Sequence, residues 1–317
     1  MSKYAIGVDL GGTTVKAGIV SVDGKILNQL TVPTDAEKGP EAVAQQIVKV
    51  IKDIQHSKSG DEIIGIGVAS PGLVKLDGNT VEAPPNFMNW DSFPLRDAII
   101  KDIGNKLPLY VENDANAAAL AEAKFGAGKE MDNFLFVIWG TGVGGGIIMD
   151  GKIYHGPHGG AGEIGHSSVD YDGPVCNCGN IGCIESFIGQ RYLSARATAY
   201  LESRKDSLVW KLIGHDLSKI EPRVLYDAAM QGDEAANKIM TQAAELLGVA
   251  ISSFMNTMNF NIAIVGGGVS GAGDLVFNPM NKRVKESVMA PLRPIAKVLP
   301  AQLGNQAGIL GAAGLVM

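Results

Sequence analysis

Two stretches of this sequence repeat one another in the order of their elements, and that repeat constrains the fold more than any other feature. The first opens with YAIGVDL (4–10) and continues GGTTVKAGIVSVDGKIL; the second opens with NFLFVIW from Asn133 and continues GTGVGGGIIMDGKIY. Each reads as strand, glycine turn, strand, Asp-Gly turn, strand. The Asp-Gly pairs at 23–24 and 150–151 are strong hairpin signals, because the turn needs residues that tolerate positive φ. Helical and strand patterns then alternate. Val43, Ile47, Val50 and Ile54 share one helix face within 39–58. EIIGIGVAS (62–70) and PLYVEND (108–114) read as strands, the latter running into the Ala-rich ANAAALAEAKFG. A long helix is expected over 235–258 and a strand ending in glycines over 261–268. The expectation is a duplicated α/β unit with mixed sheets, two related domains facing each other across a cleft. We place the boundaries at 1–114 plus 302–317 for a smaller domain and 115–301 for a larger one.

Composition narrows the partners. A net charge of −6 without a basic cluster is unsuited to nucleic acid, since phosphate contacts supply most of that affinity. No apolar run approaches a membrane span, and the start goes straight into a strand pattern rather than a signal peptide. With three cysteines, a reducing cytoplasm is the expected compartment.

The 41 glycines concentrate in three loops: DLGGTT (9–14), GTGVGGG (140–146) and GGGVSGAG (266–273). Gly lets peptide N–H groups approach phosphate oxygens unobstructed. Thr13 and Thr141 stand at equivalent points of the two hairpins as hydroxyl donors. Asp9 ends the first strand and could hold a water of Mg²⁺, an ion that keeps much of its hydration shell. The last two loops also match G-x-G-x-x-G. The first of these is followed by a strand, which removes a dinucleotide reading; the second, Gly266–Gly271, is not excluded by its local context.

Cys176, Cys178 and Cys183 all lie in VCNCGNIGCIES. An odd count at this spacing fits neither a disulfide set nor a C-x-x-C redox pair. Thiolates are good zinc ligands, and a closed tetrahedral site needs a fourth donor, with His155, His158, His166 and His215 as candidates. Asp114 stands where a strand meets a helix. From its residue type alone it is either a helix N-cap or a general base.

Taken together these motifs resemble the sugar kinase, heat-shock chaperone and actin superfamily, and within it the ROK family of repressors and sugar kinases, in its bacterial glucokinase branch. DLGGTTVKAG and GTGVGGGI resemble the two phosphate motifs, ENDANAAALAE the catalytic segment, GEIGH with CNCGNIGCIE the zinc and sugar signature, and IVGGGVS the adenosine motif. Thr14 departs from the Lys or Ser common at its position, so Lys16 receives no catalytic role. The resemblance implies a two-domain actin-like fold of duplicated βββαβαβα-type units. It implies ATP-dependent phosphorylation of the 6-hydroxyl of glucose, with N-acetylmannosamine or another hexose as the alternative. Asp114 would be the base, taking the proton of the attacking hydroxyl. Sugar contacts would come from Gly72, Asn86 (with Asn89 as competitor), Asn113, Asp114, Glu163, His166 and Glu185. Nucleotide contacts would come from Asp9, Gly11, Gly12, Thr13, Thr14, Thr141, Gly142, Gly267 and Gly268, with Mg²⁺ bound alongside. His166 would complete a structural zinc site with Cys176, Cys178 and Cys183. A homodimer or homotetramer is the implied assembly. The family also contains sugar-responsive repressors; with Asp9 nine residues from the start, the helix-turn-helix segment of those proteins is expected to be missing.

Overall fold

The computed structural model describes residues 3–56 and 62–317. Packing divides the chain into two compact units, Met1–Asp132 with Gly146–Gly162 and Gln302–Met317, and Asn133–Gly145 with Glu163–Ala301. In chain order the elements begin β1 (Lys3–Leu10), β2 (Thr14–Ser21), β3 (Ile26–Pro33), α1 (Pro40–His56) and β4 (Glu62–Ser70). Next come β5 (Leu73–Val74), β6 (Thr80–Glu82), β7 (Ser92–Pro94), α2 (Leu95–Ile103), β8 (Leu109–Asn113) and α3 (Asp114–Phe125). They continue with β9 (Phe134–Trp139), β10 (Val143–Met149), β11 (Lys152–Ile153), α4 (Glu185–Ile188), α5 (Gln190–Leu201), α6 (Val209–Leu212) and α7 (Pro222–Met230). The last are α8 (Glu234–Met258), β12 (Ile262–Gly266), α9 (Asp274–Ser287), β13 (Lys297–Pro300) and α10 (Ala307–Gly314). Residues 57 and 58, at the end of the helix expected over 39–58, lie outside the described residues.

The duplication is visible in the sheets. One has the order β3-β2-β1-β4-β8, the other β11-β10-β9-β12-β13. In both, the first strand of the set is central, a hairpin flanks it on one side, and two later strands flank it on the other. Pairing in the first sheet is antiparallel across β1–β2–β3 and parallel across β1–β4–β8. In the second, β10–β11 is antiparallel and β9–β12–β13 parallel. This topology removes the dinucleotide reading left open at Gly266–Gly271, which needs a doubly wound parallel sheet. The two Asp-Gly turns differ in detail. Asp150 and Gly151 both take positive φ in a two-residue turn, whereas only Gly24 does so in the longer first turn.

In the first unit, one face of the sheet buries Ile6, Val8 and Leu10 of β1 in a cluster that includes Val43, Ile47, Val50, Ile51 and Ile54 of α1. The other face takes α10 at very short range. A Cβ on Gly7 would overlap the Ile309 carbonyl, and one on Gly67 the Ala312 carbonyl, so small residues on the strands set the helix–sheet distance. Helix α3 lies along α10, where a Cβ on Gly311 would overlap the Ala117 carbonyl. That packing places α3 in the first unit, together with Gly146–Gly162. A boundary at Asp114 would have cut both away. The second unit is built on α8, capped by Asp233, whose carboxylate accepts from Ala236 N at 2.7 Å. It packs on α9 so closely that a Cβ on Gly248 would sit 3.0 Å from the Met280 carbonyl oxygen.

Candidate functional site

The first unit carries the loop between β1 and β2. Thr34 fastens it from the end of β3: its hydroxyl donates to the Gly11 carbonyl at 2.6 Å, and its N–H donates to the Thr13 carbonyl at 3.0 Å. Gly11 N–H closes the turn on the Thr14 carbonyl at 3.0 Å. Gly12 and Thr13 are left exposed at the tip, and a Cβ on Gly12 would meet no atom within 4 Å. Asp9 pairs across the hairpin with Lys16, and its carboxylate lies against the backbone of Gly308 in α10. Burial holds its pKa above the usual carboxylate range, with Lys16 pulling partly against that.

The segment Glu112–Asn116 is organised more tightly than its sequence suggests. Asn113, at the end of β8, is the N-cap of α3: its Oδ1 accepts from Ala115 N at 2.9 Å and Asn116 N at 3.1 Å. Asp114 is therefore not the cap. It is the first helical residue, and its Oδ1 also accepts from Ala115 N, at 2.8 Å. The cap side chain is held from its other end as well, since Asn113 Nδ2 donates to the Gly72 carbonyl at 3.0 Å. Gly72 needs its residue type, because it has φ 88° and a Cβ would crowd the Glu82 carbonyl and Pro84. Asn86 and Asn89 both adopt positive φ, at 68° and 56°, so each is a turn residue of the loop around the buried Trp90. That ring packs edge-on against Phe87 and Phe93 and donates to the Val81 carbonyl at 3.0 Å.

In the second unit the two remaining glycine loops lie side by side. A Cβ on Gly140 would sit 3.8 Å from Gly268 N, and one on Gly267, at φ 91°, would overlap the Trp139 backbone. The 140–142 loop is fastened by Gln190 N, shared between the Gly140 and Thr141 carbonyls at 3.1 and 3.0 Å. Glu185 joins this loop to the cysteine segment: its Oε2 accepts from Val143 N at 2.9 Å and occupies the space a Cβ on Gly142 would need.

Cys176, Cys178, Cys183 and His166 converge, with their ligand atoms all within 4.8 Å of one another. Cys178 Sγ and Cys183 Sγ are 3.6 Å apart, and Cys176 Sγ is 3.8 Å from His166 Nδ1. Sulfurs bonded at about 2.3 Å to one tetrahedral zinc stand close to this far apart, while a disulfide requires about 2.05 Å. The donor set and spacing therefore fit a zinc ion. Without the ion's charge, burial pushes the Cys183 thiol up to about 12, so a cation is what would let it ionise. His166 turns its other nitrogen, Nε2, towards Glu163 Oε2 at 4.0 Å. The Glu163 carboxyl is held above its ordinary range by partial desolvation, opposed by His166 and reinforced by the charge of Glu185. Of the rival histidines, His155 is engaged elsewhere, with Nε2 2.6 Å from Glu112 Oε2. His215 stacks on Trp210.

Two carboxylates were missed as organisers. Glu112 has its Oε1 2.9 Å from Asn113 N and 3.1 Å from Asn116 Nδ2. Glu122, fully buried in α3, accepts from three backbone N–H groups. The END triplet signalled the first; for the second the sequence offers no local signal.

Fold and site together define a protein of the actin-like sugar kinase class, with two glycine hairpins and a convergent Cys3His cluster whose donors fit a zinc ion. The ROK family signature matches residues 5–317, and the chain belongs to that family. It is 38% identical to the glucokinase of Thermotoga maritima across 98% of this chain and 96% of that one. It is 35% identical to the glucokinase of Halalkalibacterium halodurans across 99% and 95%. Among solved structures it is similar to a ROK family glucokinase from Streptomyces griseus in complex with glucose and AMPPNP, at 36% identity, TM-score 0.83 and 98% coverage of both chains. Among the described residues, no helix is long and apolar enough to cross a membrane.

Proposed function

We propose that this chain is an ATP-dependent hexose kinase that phosphorylates the 6-hydroxyl of glucose. The observation that carries the reading is Asp114 at the β8–α3 junction, where the Asn113 side chain, itself held by the Gly72 carbonyl, caps the backbone N–H groups of Ala115 and Asn116 that follow it. Phosphoryl transfer is mostly positioning and charge stabilisation, so a carboxylate that orients the hydroxyl and takes its proton is the main chemical contribution required of the chain. Asn113, Glu163, His166 and Glu185 are proposed to bind the sugar hydroxyls, and Gly72 and Asn86 to contribute further contacts. A neutral ring is recognised by such acceptors and donors. Asn113 keeps a second amide hydrogen for this role, since its NH₂ has two and one is used on Gly72. The loops at Asp9–Thr14, Thr141–Gly142 and Gly267–Gly268 are proposed to hold ATP. Mg²⁺ would neutralise phosphate charge, with Asp9 as its acidic neighbour. The cysteine centre holds the wall that ends in Glu185, in a reducing cytoplasm, and the assembly is a homodimer or homotetramer.

The test is ADP release measured across glucose, N-acetylmannosamine, mannose and fructose. Glucose should give the highest kcat/KM. Faster turnover of N-acetylmannosamine would overturn the substrate, and turnover of none would overturn the class. Asp114→Asn should lose phosphorylation while still binding sugar; a near-parental rate would remove Asp114 as base.

A further inference from the structure

His155 lies just beyond β11 and has no part in the Cys3His cluster, yet it makes a short polar contact beside the Asp114 segment. Its Nε2 stands 2.6 Å from Glu112 Oε2. Glu112 is 7% exposed, and a buried carboxylate needs donors on both oxygens. Oε1 has them in Asn113 N–H and Asn116 Nδ2; Oε2 has the imidazole. The chain of bonds is then continuous. Glu112 holds the backbone of Asn113 and the side chain of Asn116, and Asn113 caps the helix whose first residue is Asp114.

We propose that His155 is a positioning residue for phosphoryl transfer: by donating to Glu112 it fixes the first turn of α3 and, through it, the carboxylate of Asp114. The proposal rests on Asp114 being the base. Glu112 is the charged group acting on the ring. Their hydrogen bond raises the imidazole pKa, against the opposing effect of burial. A raised histidine pKa means the charged pair is complete below it and weakens as pH rises through it. A glutamine at 155 could also donate one N–H to Glu112 but does not titrate; an alanine cannot donate.

The experiment compares His155→Ala and His155→Gln in the full chain by two readouts. Hydrogen exchange at the amides of residues 113–116 should accelerate about 10-fold or more in the alanine variant and stay near parental in the glutamine variant. Steady-state kinetics should show kcat falling about 10-fold or more in the alanine variant, with KM for ATP little changed. Glutamine should restore most of that rate and flatten the alkaline fall in kcat expected of the parent. Unchanged exchange in the alanine variant overturns the proposal whether or not the protein phosphorylates sugar. So does a parental kcat despite faster exchange, or equal damage in both variants. Failure of the underlying reading shows separately, as Asp114→Asn retaining activity.

Discussion

Replacing Glu122 by alanine should destabilise the first unit by about 3 kcal/mol, because three part-buried backbone donors lose their shared acceptor. The side chain is 0% exposed. Its Oε2 accepts from Ala127 N at 2.7 Å, and its Oε1 accepts from Gln302 N and Leu303 N, each at 2.9 Å. A buried donor left without a partner costs about 1–3 kcal/mol, and water entering the vacated space offsets part of that, so the low end applies to each. Glu122→Gln keeps one oxygen for Gln302 and Leu303 but turns an amide NH₂ on the Ala127 N–H, for a smaller loss of about 1–2 kcal/mol. Urea unfolding reads both. With m near 2 kcal/mol/M, a loss of about 3 kcal/mol lowers the midpoint by about 1.5 M. An alanine variant within about 0.5 kcal/mol of the parent, or a glutamine variant as damaged as alanine, would refute the reasoning, since the three-donor geometry demands that order.

Burial raises the folded pKa of Asp9 above the unfolded value, so the protonated form is favoured by folding and stability is lost as pH rises through the folded pKa. Asp9→Asn should therefore raise Tm at pH 7, with a gain that disappears in acid, while kcat falls; a lower Tm at pH 7 would contradict this. Gly142→Ala puts a methyl where the Glu185 carboxylate sits and should cost its charge-assisted bond to Val143 N, about 1.5–3 kcal/mol, lowering kcat/KM about 10- to 150-fold. Parental kinetics would show that Glu185 can move freely. Metal analysis should find about one zinc per chain. The exposed Cys178 should resist a thiol reagent until a chelator is added, and equal reactivity before and after would argue against thiolate ligation.

What could be read from the sequence was local. The two hairpins, the three glycine loops and the cysteine spacing each confine their meaning to a few residues, and the sheets reproduce the duplicated order. The helix expected over 235–258 is found at Glu234–Met258, because its apolar face repeats with helical period over its whole length. Asn113 shows where such reading stops. Asp and Asn are both good caps, and the choice between neighbours depends on Gly72, whose carbonyl ties down the Asn113 side chain from 41 residues away. Glu122 is a stronger instance. Its donors at Gln302 and Leu303 are 180 and 181 residues distant, so a carboxylate in an Ala-rich helix reads as a solvated face until the return of the chain is known. The same return moves α3 into the first unit: α10 covers β1 and β4 only after the rest of the chain has been traversed, and α3 then packs along it. The residues proposed for the chemistry are legible by type and motif. His155, Glu112 and Glu122 make contacts that no period or spacing encodes.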